Sequence, residues 1–123
     1  MDIIGLDKFA GFAPSGWSVV GTSGANAAQT VAKAAVAGLR HYALGFGVVI
    51  TAAASGAAIT IQLKDGTTVI WQTAIPTGAA IGTTKEVLLH NPIELSINTA
   101  LNLTVSAGGA SCVTIGNILG FTR

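Results

Sequence analysis

The stretch Ile59-Thr60-Ile61-Gln62-Leu63-Lys64-Asp65-Gly66-Thr67-Thr68-Val69-Ile70-Trp71 decides the fold class. Ile59, Ile61 and Leu63 alternate with Thr60, Gln62 and Lys64. That period of two puts the apolar side chains on one face of an extended strand. Asp65-Gly66 follows, and Thr67–Ile75 is again apolar-rich, with Val69 and Trp71 on one face. An Asp-Gly step between two such runs predicts a hairpin, because both residues tolerate the positive φ of a tight turn.

The same period extends in both directions. In Tyr42–Ile50 the bulky residues Tyr42, Leu44, Phe46, Val48 and Ile50 alternate with Ala43, Gly45, Gly47 and Val49. One face is therefore core-seeking, and the other lets a neighbour approach closely. Downstream, Val87 and Leu89 alternate with Glu86, Leu88 and His90, and Asn91-Pro92 marks a turn. Ile93, Leu95 and Ile97 form the next set, followed by Leu101, Leu103 and Val105. Gly108-Gly109 breaks the chain. Val113–Thr122 closes it, with Gly116-Asn117 a candidate bulge or turn and Leu119 and Phe121 on one face. Short, evenly spaced runs of this kind predict an all-β chain: a single antiparallel β-sandwich, jelly-roll-like, of about eight strands.

One segment reads two ways. Ala28, Val31, Ala32, Ala35, Val36 and Leu39 follow helical spacing, and Asn26 would serve as an N-cap. The alternative places Gln29–Ala35 in a sheet and Val36-Ala37-Gly38 in a turn.

The 123 residues suit one domain. Half are apolar, 9% are charged, and six Lys+Arg against five Asp+Glu leave a net charge of +1. The balance offers no basic patch for nucleic acid, and its hydropathy is too high for intrinsic disorder. A mean hydropathy of +0.66 is hard to place on a lone monomer of this size and predicts surface buried against other subunits. Residues 1–16, ending in Pro14-Ser15-Gly16, lack periodicity and read as an N-terminal arm ahead of a sandwich domain at 17–123. Phe9 and Phe12 would anchor that arm on its own domain or on a neighbour. Met1–Lys8 has no basic region followed by an apolar run, so no signal peptide is expected. Between Arg40 and Lys64 there is no Asp, Glu, Lys or Arg, long enough for a spanning helix. Its glycines, its polar residues and the break at Ala54-Ser55-Gly56 argue against one, so no membrane partner is expected.

Two runs and the ending carry a resemblance: Thr30-Val31-Ala32-Lys33-Ala34-Ala35-Val36-Ala37-Gly38-Leu39-Arg40-His41-Tyr42, Leu63-Lys64-Asp65-Gly66-Thr67-Thr68-Val69-Ile70-Trp71, and Gly116-Asn117-Ile118-Leu119-Gly120-Phe121-Thr122-Arg123. Together they resemble small all-β structural proteins of tailed bacteriophages over roughly residues 28–123. The resemblance implies a virion component, such as a capsid decoration protein, a head fibre or a small tail protein, assembled in the bacterial host cytoplasm. It also tips residues 26–39 toward strand. Analogy with fibres and decoration proteins implies a homo-oligomer, a trimer, docked on a phage capsid or tail protein.

The chemistry-bearing residues are sparse. His41 and His90 lie far apart in sequence, and no Cys/His cluster has metal-ligand spacing. Glu86 and Glu94 flank the expected turn and would approach one another, although each falls on a polar strand face. No phosphate loop, G-x-S-x-G elbow or Ser triad is present. The lone Cys112 reads as a buried or loop thiol, in keeping with a reducing compartment. No catalytic, cofactor-binding or metal residue is therefore assigned, no cofactor is expected, and an enzyme is the least supported class. Trp17, Trp71 and Tyr42 are the rings that would stack on a sugar if the chain were instead a glycan-binding module. Trp71 reads as core and Trp17 as the more open of the two.

Overall fold

The structure, a computed structural model, describes residues 16–123. The N-terminal arm, with Phe9 and Phe12, lies outside the described residues up to Ser15.

Eight strands follow one another: β1 (Gly16–Thr22), β2 (Gln29–Lys33), β3 (His41–Ala52), β4 (Ile59–Asp65), β5 (Thr68–Ile75), β6 (Thr84–Glu94), β7 (Leu101–Val105) and β8 (Val113–Thr122). They form two four-stranded sheets, β1-β8-β3-β6 and β2-β7-β4-β5, in which every neighbouring pair is antiparallel. Only β4 and β5 are joined within a sheet; every other connection crosses to the opposite layer. This is the strand order of a jelly roll. The β4–β5 hairpin closes on the pair Asp65↔Thr68, with Gly66 and Thr67 as its two central residues. Gly66 takes a φ of 64°, which a Cβ would disfavour.

The core lies between the sheets and is built from the alternating residues read above. Phe46, Val48 and Ile50 come from β3, and Ile118 from β8. Facing them are Val31, Ile59, Ile61, Leu63, Ile75, Leu101, Leu103 and Val105. The sandwich closes tightly at the β1/β2 corner, where Gly116 on β8 faces Val31. A Cβ there would lie 3.2 Å from Val31 Cγ2. Gln29 Nε2 spans the layers, donating to the Thr114 carbonyl (3.1 Å) and to Thr114 Oγ1 (3.0 Å).

Four expectations are corrected, three of them by irregular pairing. Opposite β8 and β6, the register of β3 skips Leu44. One extra residue reverses strand parity, so His41 and Ala43 face inward with Phe46, and Tyr42 faces outward. A second shift lies opposite Leu63 and Lys64, which pair with Trp71 and Val69 and leave Ile70 as the extra residue. Trp71 turns inward beside Leu63, and Val69 turns outward beside Lys64. Asn91-Pro92 is not a turn: β6 continues to Glu94, and its pairing steps from Gly45↔Leu88 to Ala43↔Ile93. Leu89–Pro92 bulge from an edge strand, where proline's missing N–H leaves no ladder bond unmade. Beyond that strand Leu95 is buried and Ile97 exposed. Gly116-Asn117, finally, pairs without interruption inside β8.

Residues 26–39 take the extended alternative. β2 pairs with β7 over Gln29–Lys33, shorter than the expected run to Ala35, and a turn follows at Ala37-Gly38. Asn26 adopts a φ of 50° in a turn and caps no helix. Pairing with a buried neighbour outweighs alanine's helical preference here. The uncharged stretch between Arg40 and Lys64 divides between β3 and β4, in different sheets. Among the described residues no helix is long and apolar enough to cross a membrane.

Candidate functional site

The two outer faces of the sandwich differ in chemistry. On the β2-β7-β4-β5 sheet the register aligns Thr30, Thr104, Gln62 and Gln72 in one row, and Ala32, Asn102, Lys64 and Val69 in the next. Gln62 Nε2 donates to Gln72 Oε1 at 2.7 Å. Apart from Ala32, Ala74, Val69 and the bulged Ile70, that surface is polar, and its two glutamines are hydrogen-bonded to one another.

The outer face of β1-β8-β3-β6 is mixed, with two strongly exposed apolar side chains. One row runs Ser18, Leu119, Gly45, Leu88; the next runs Val20, Asn117, Gly47, Glu86; a third runs Thr22, Ile115, Val49, Thr84. Leu88 is 74% exposed and Val20 63%, on opposite edge strands of one sheet. Between them Gly45 and Gly47 contribute no side chain. The result is a shallow depression of about 90 Å³ lined by Gly47, Val49, Thr84, Glu86, Ile115 and Asn117. The glycines also keep the sheet closed. A Cβ on Gly45 would meet the Val87 carbonyl oxygen and Leu88 Cδ2, each at 3.0 Å.

One end of this face carries an aromatic and charged corner. Tyr42 stacks on Phe121 with ring centroids 4.8 Å apart and planes 4° apart. The Arg123 guanidinium lies 5.2 Å from the Tyr42 ring and 5.6 Å from that of Phe121, a cation–π arrangement. Tyr42 Oη donates to Glu94 Oε2 at 3.0 Å, and Arg40 Nε lies 3.7 Å from the same oxygen. The Arg40 and Glu94 side chains are about half exposed, so solvent weakens that ion pair.

The structure scatters the sequence-derived candidates. Glu86 and Glu94 both lie on β6, opposite Gly47 and Tyr42. Four residues of β3 lie between those partners, one of them the bulged Leu44, so the span is four ladder steps, roughly 13 Å of strand, beyond the spacing of a carboxylate pair acting on one bond. His90 is exposed in the β6 bulge. His41 is buried and structural. Its Nε2 lies 2.7 Å from the Ala34 carbonyl oxygen, and its Nδ1 lies 2.7 Å from Thr122 Oγ1. Trp17 Nε1 donates to that same hydroxyl at 2.8 Å, and its ring meets His41 edge-on at 5.6 Å. Trp71 packs edge-on against Phe46 at 4.6 Å. Both tryptophans are half-buried on the inward side, so neither offers a sugar an open ring face. Cys112 is buried under the loop that precedes it. Among the described residues no group of three or more His, Cys, Asp or Glu could hold a metal, and no catalytic constellation is assembled.

Val20 and Leu88 were not singled out by strand alternation, yet their signal is present. Val19-Val20 and Val87-Leu88-Leu89 are consecutive apolar residues, and a strand that is apolar at successive positions presents apolar side chains on both faces.

No protein-family model matches the chain, and no curated protein matches it in sequence. Among solved structures it is similar to PirA, at 14% identity and a TM-score of 0.48, covering 84% of this chain and 93% of that one. It is similar to the PRD1 vertex protein P5, at 13% identity and 0.47, over 86% and 95%. A third likeness is to the Tobacco streak virus coat protein, at 9% and 0.36, over 88% of each chain. All three likenesses concern the fold alone. At such identities no function passes from them to this chain.

Proposed function

We propose that this chain is a non-enzymatic virion structural protein of the capsid-decoration, cement or head-fibre type. It self-associates and docks on a phage capsid or tail protein, with the residues ahead of β1 forming an arm. Analogy with fibres and decoration proteins favours a trimer. The observation that supports this reading is the outer face of the β1-β8-β3-β6 sheet, where Leu88 and Val20 stand open to solvent on the two edge strands and Gly45 and Gly47, without side chains, lie between them. A sheet face of this kind loses area to water until another surface covers it, and subunit contacts cover such faces. So few charges provide little electrostatic steering, so attachment rests on apolar area and shape. No observation favours the glycan-binding alternative, whose tryptophans lie inward.

The test is the double substitution Val20→Asp/Leu88→Asp, measured by sedimentation and by co-sedimentation with phage particles that lack the chain. Both side chains are exposed, so the strand circular dichroism and the urea midpoint should stay at the wild-type values. Assembly and particle binding should weaken at least about tenfold, since charge at an interface core is strongly disfavoured. A wild-type chain that sediments as a monomer and never binds particles would overturn the reading, as would a double variant that assembles and binds like the wild type.

A further inference from the structure

The four sheet edges are not equally protected. β6 carries Lys85, Glu86, Pro92 and a wide bulge, all of which obstruct pairing with another strand. β2 is five residues long and ends in Lys33. β1 lies against β2 at the closed corner, where a Cβ on Gly21 would meet Gln29 Oε1 at 2.8 Å and Val31 Cγ2 at 3.0 Å. β5 differs. From Gly66 to Thr84 no Asp, Glu, Lys or Arg occurs, and Thr68–Ile75 contains neither Pro nor Gly. Among the described residues its backbone bonds only to β4, on one side. An uncharged, apolar edge of this kind is a template for another strand.

We infer that β5 is an interface with a second copy of this chain, pairing antiparallel with the partner's β5 across a two-fold axis. The inference rests on the self-associating reading above and adds to it a two-fold contact, which would join one trimer to another rather than subunits within a trimer. A strand paired with itself around a two-fold must be complementary to its own reverse, and any charge near the centre meets its own kind. β5 carries none. The register is bounded on both sides. The Ile70 bulge ends regular pairing at one end, and Pro76, with no N–H, ends it at the other. The regular window is Trp71–Ile75, and its centre is Thr73. With the axis at Thr73, Gln72 lies opposite Ala74 of the partner subunit, and Trp71 opposite Ile75 of the partner subunit. The match is steric as well. On the outer face the long Gln72 side chain, held upright by Gln62, meets a methyl group. The row Thr30-Thr104-Gln62-Gln72 then continues into the neighbouring subunit. Two four-stranded sheets become one of eight strands.

The experiment compares two double variants of the full chain by sedimentation velocity, with hydrogen exchange at Trp71–Ile75. In Gln72→Lys/Ala74→Lys, lysine faces lysine in both rows flanking the axis. In Gln72→Lys/Ala74→Glu, the same first change faces a glutamate in each. The positions are solvent-exposed, and circular dichroism confirms that each variant is folded. The two-fold contact should weaken at least about tenfold in the lysine–lysine variant and be retained in the lysine–glutamate variant. Wild-type amides in the window should gain protection as concentration rises. If the lysine–lysine variant assembles like the wild type, or if both folded variants lose the contact alike, the β5 interface is wrong, while particle binding by the wild type still upholds the function proposed above. If the wild type neither self-associates nor binds particles, both fall.

Discussion

Substituting Leu103 with alanine tests the sandwich itself, because the next residue supplies an internal control. Leu103 is fully buried at the centre of β7, paired with Val31 on β2 and Leu63 on β4. Its side chain reaches the opposite sheet, close to the space above Gly116. The substitution removes three carbon atoms from a fully buried site, which by transfer alone costs about 2.4 kcal/mol at about 0.8 kcal/mol per carbon. The neighbours are held by two paired strands and collapse only in part, so the remaining void brings the expected loss to about 2–5 kcal/mol. Thr104 points the other way, onto the polar outer face, with its hydroxyl 3.5 Å from Gln62 Oε1, at the outer limit of a hydrogen bond. Thr104→Ala should cost less than about 1 kcal/mol, mostly β-propensity. Urea unfolding followed by circular dichroism resolves the two. With a slope of about 1–3 kcal/mol per molar, the Leu103→Ala midpoint should fall by about 1 M or more and that of Thr104→Ala should barely move. Equal losses, or a Leu103→Ala loss below about 1 kcal/mol, would mean that β7 does not present Leu103 to the core.

Two further outcomes follow from the inward side of β3 and β8. The Ala34 carbonyl can only accept, so His41 carries its proton on Nε2, and Nδ1 accepts from the Thr122 hydroxyl, which itself accepts from Trp17. Nitrogen NMR should report the Nε2–H tautomer for His41. His41→Ala should lower stability by about 1–3 kcal/mol for each buried partner left unpaired; the Nδ1–H tautomer, or a neutral substitution, would refute the chain of bonds. Gly120→Ala should abolish folding or cost at least about 3 kcal/mol, because the added Cβ runs into the Tyr42 carbonyl oxygen and lies 2.9 Å from two carbons of the Trp17 ring. At Gly24, where the nearest atom would be 3.7 Å away, alanine should leave the unfolding free energy within about 0.5 kcal/mol of wild type.

The sequence reveals the layers of this fold better than their edges. Strands β4 and β7 alternate strictly, Ile59-Thr60-Ile61-Gln62-Leu63 and Leu101-Asn102-Leu103-Thr104-Val105, and each apolar member is buried. Alternation fixes the face because the side-chain period of a strand is two. It fails wherever the ladder takes on an extra residue. Leu44 and Ile70 leave no compositional mark as bulges; each follows from how many residues the partner strand supplies between two anchored pairs. That is why Tyr42 and Val69 lie on the outside. The Asn91-Pro92 dipeptide carried a turn signal that an exposed edge strand absorbs as a bulge. The outer face of the β1-β8-β3-β6 sheet was legible in part. Gly45 and Gly47 already announced a surface open to close approach, but Val20 and Leu88 stood out only once β1 and β6 were known to share a sheet.

The high hydropathy of the chain has two structural sources, and only one of them serves a docking surface. The loops at residues 23–28, 53–58, 76–83 and 106–112 contain no Asp, Glu, Lys, Arg or His and are built largely of Ala, Gly and Ser. They gather at one end of the sandwich because each joins an odd-numbered strand to the next. Their small residues are explained by what they do for one another. Ser55 N donates to the Ala79 carbonyl, Gly56 N to that of Gly108, and Asn26 N to that of Cys112. A Cβ on Gly109 would lie 2.9 Å from the Gly56 backbone. Backbone bonded to backbone needs neither charge nor bulk to be satisfied, so these loops raise mean hydropathy without presenting large apolar side chains, Ile81 excepted. Outside these loops the exposed large apolar side chains are Val20 and Leu88 on the β1-β8-β3-β6 face, Val69 and Ile70 on β5, and Val36, Leu39 and Ile97 in the connections at the other end. Leu88 and Val20 are the two most exposed of them and share one sheet face, which is the physical reason the proposed docking is placed there.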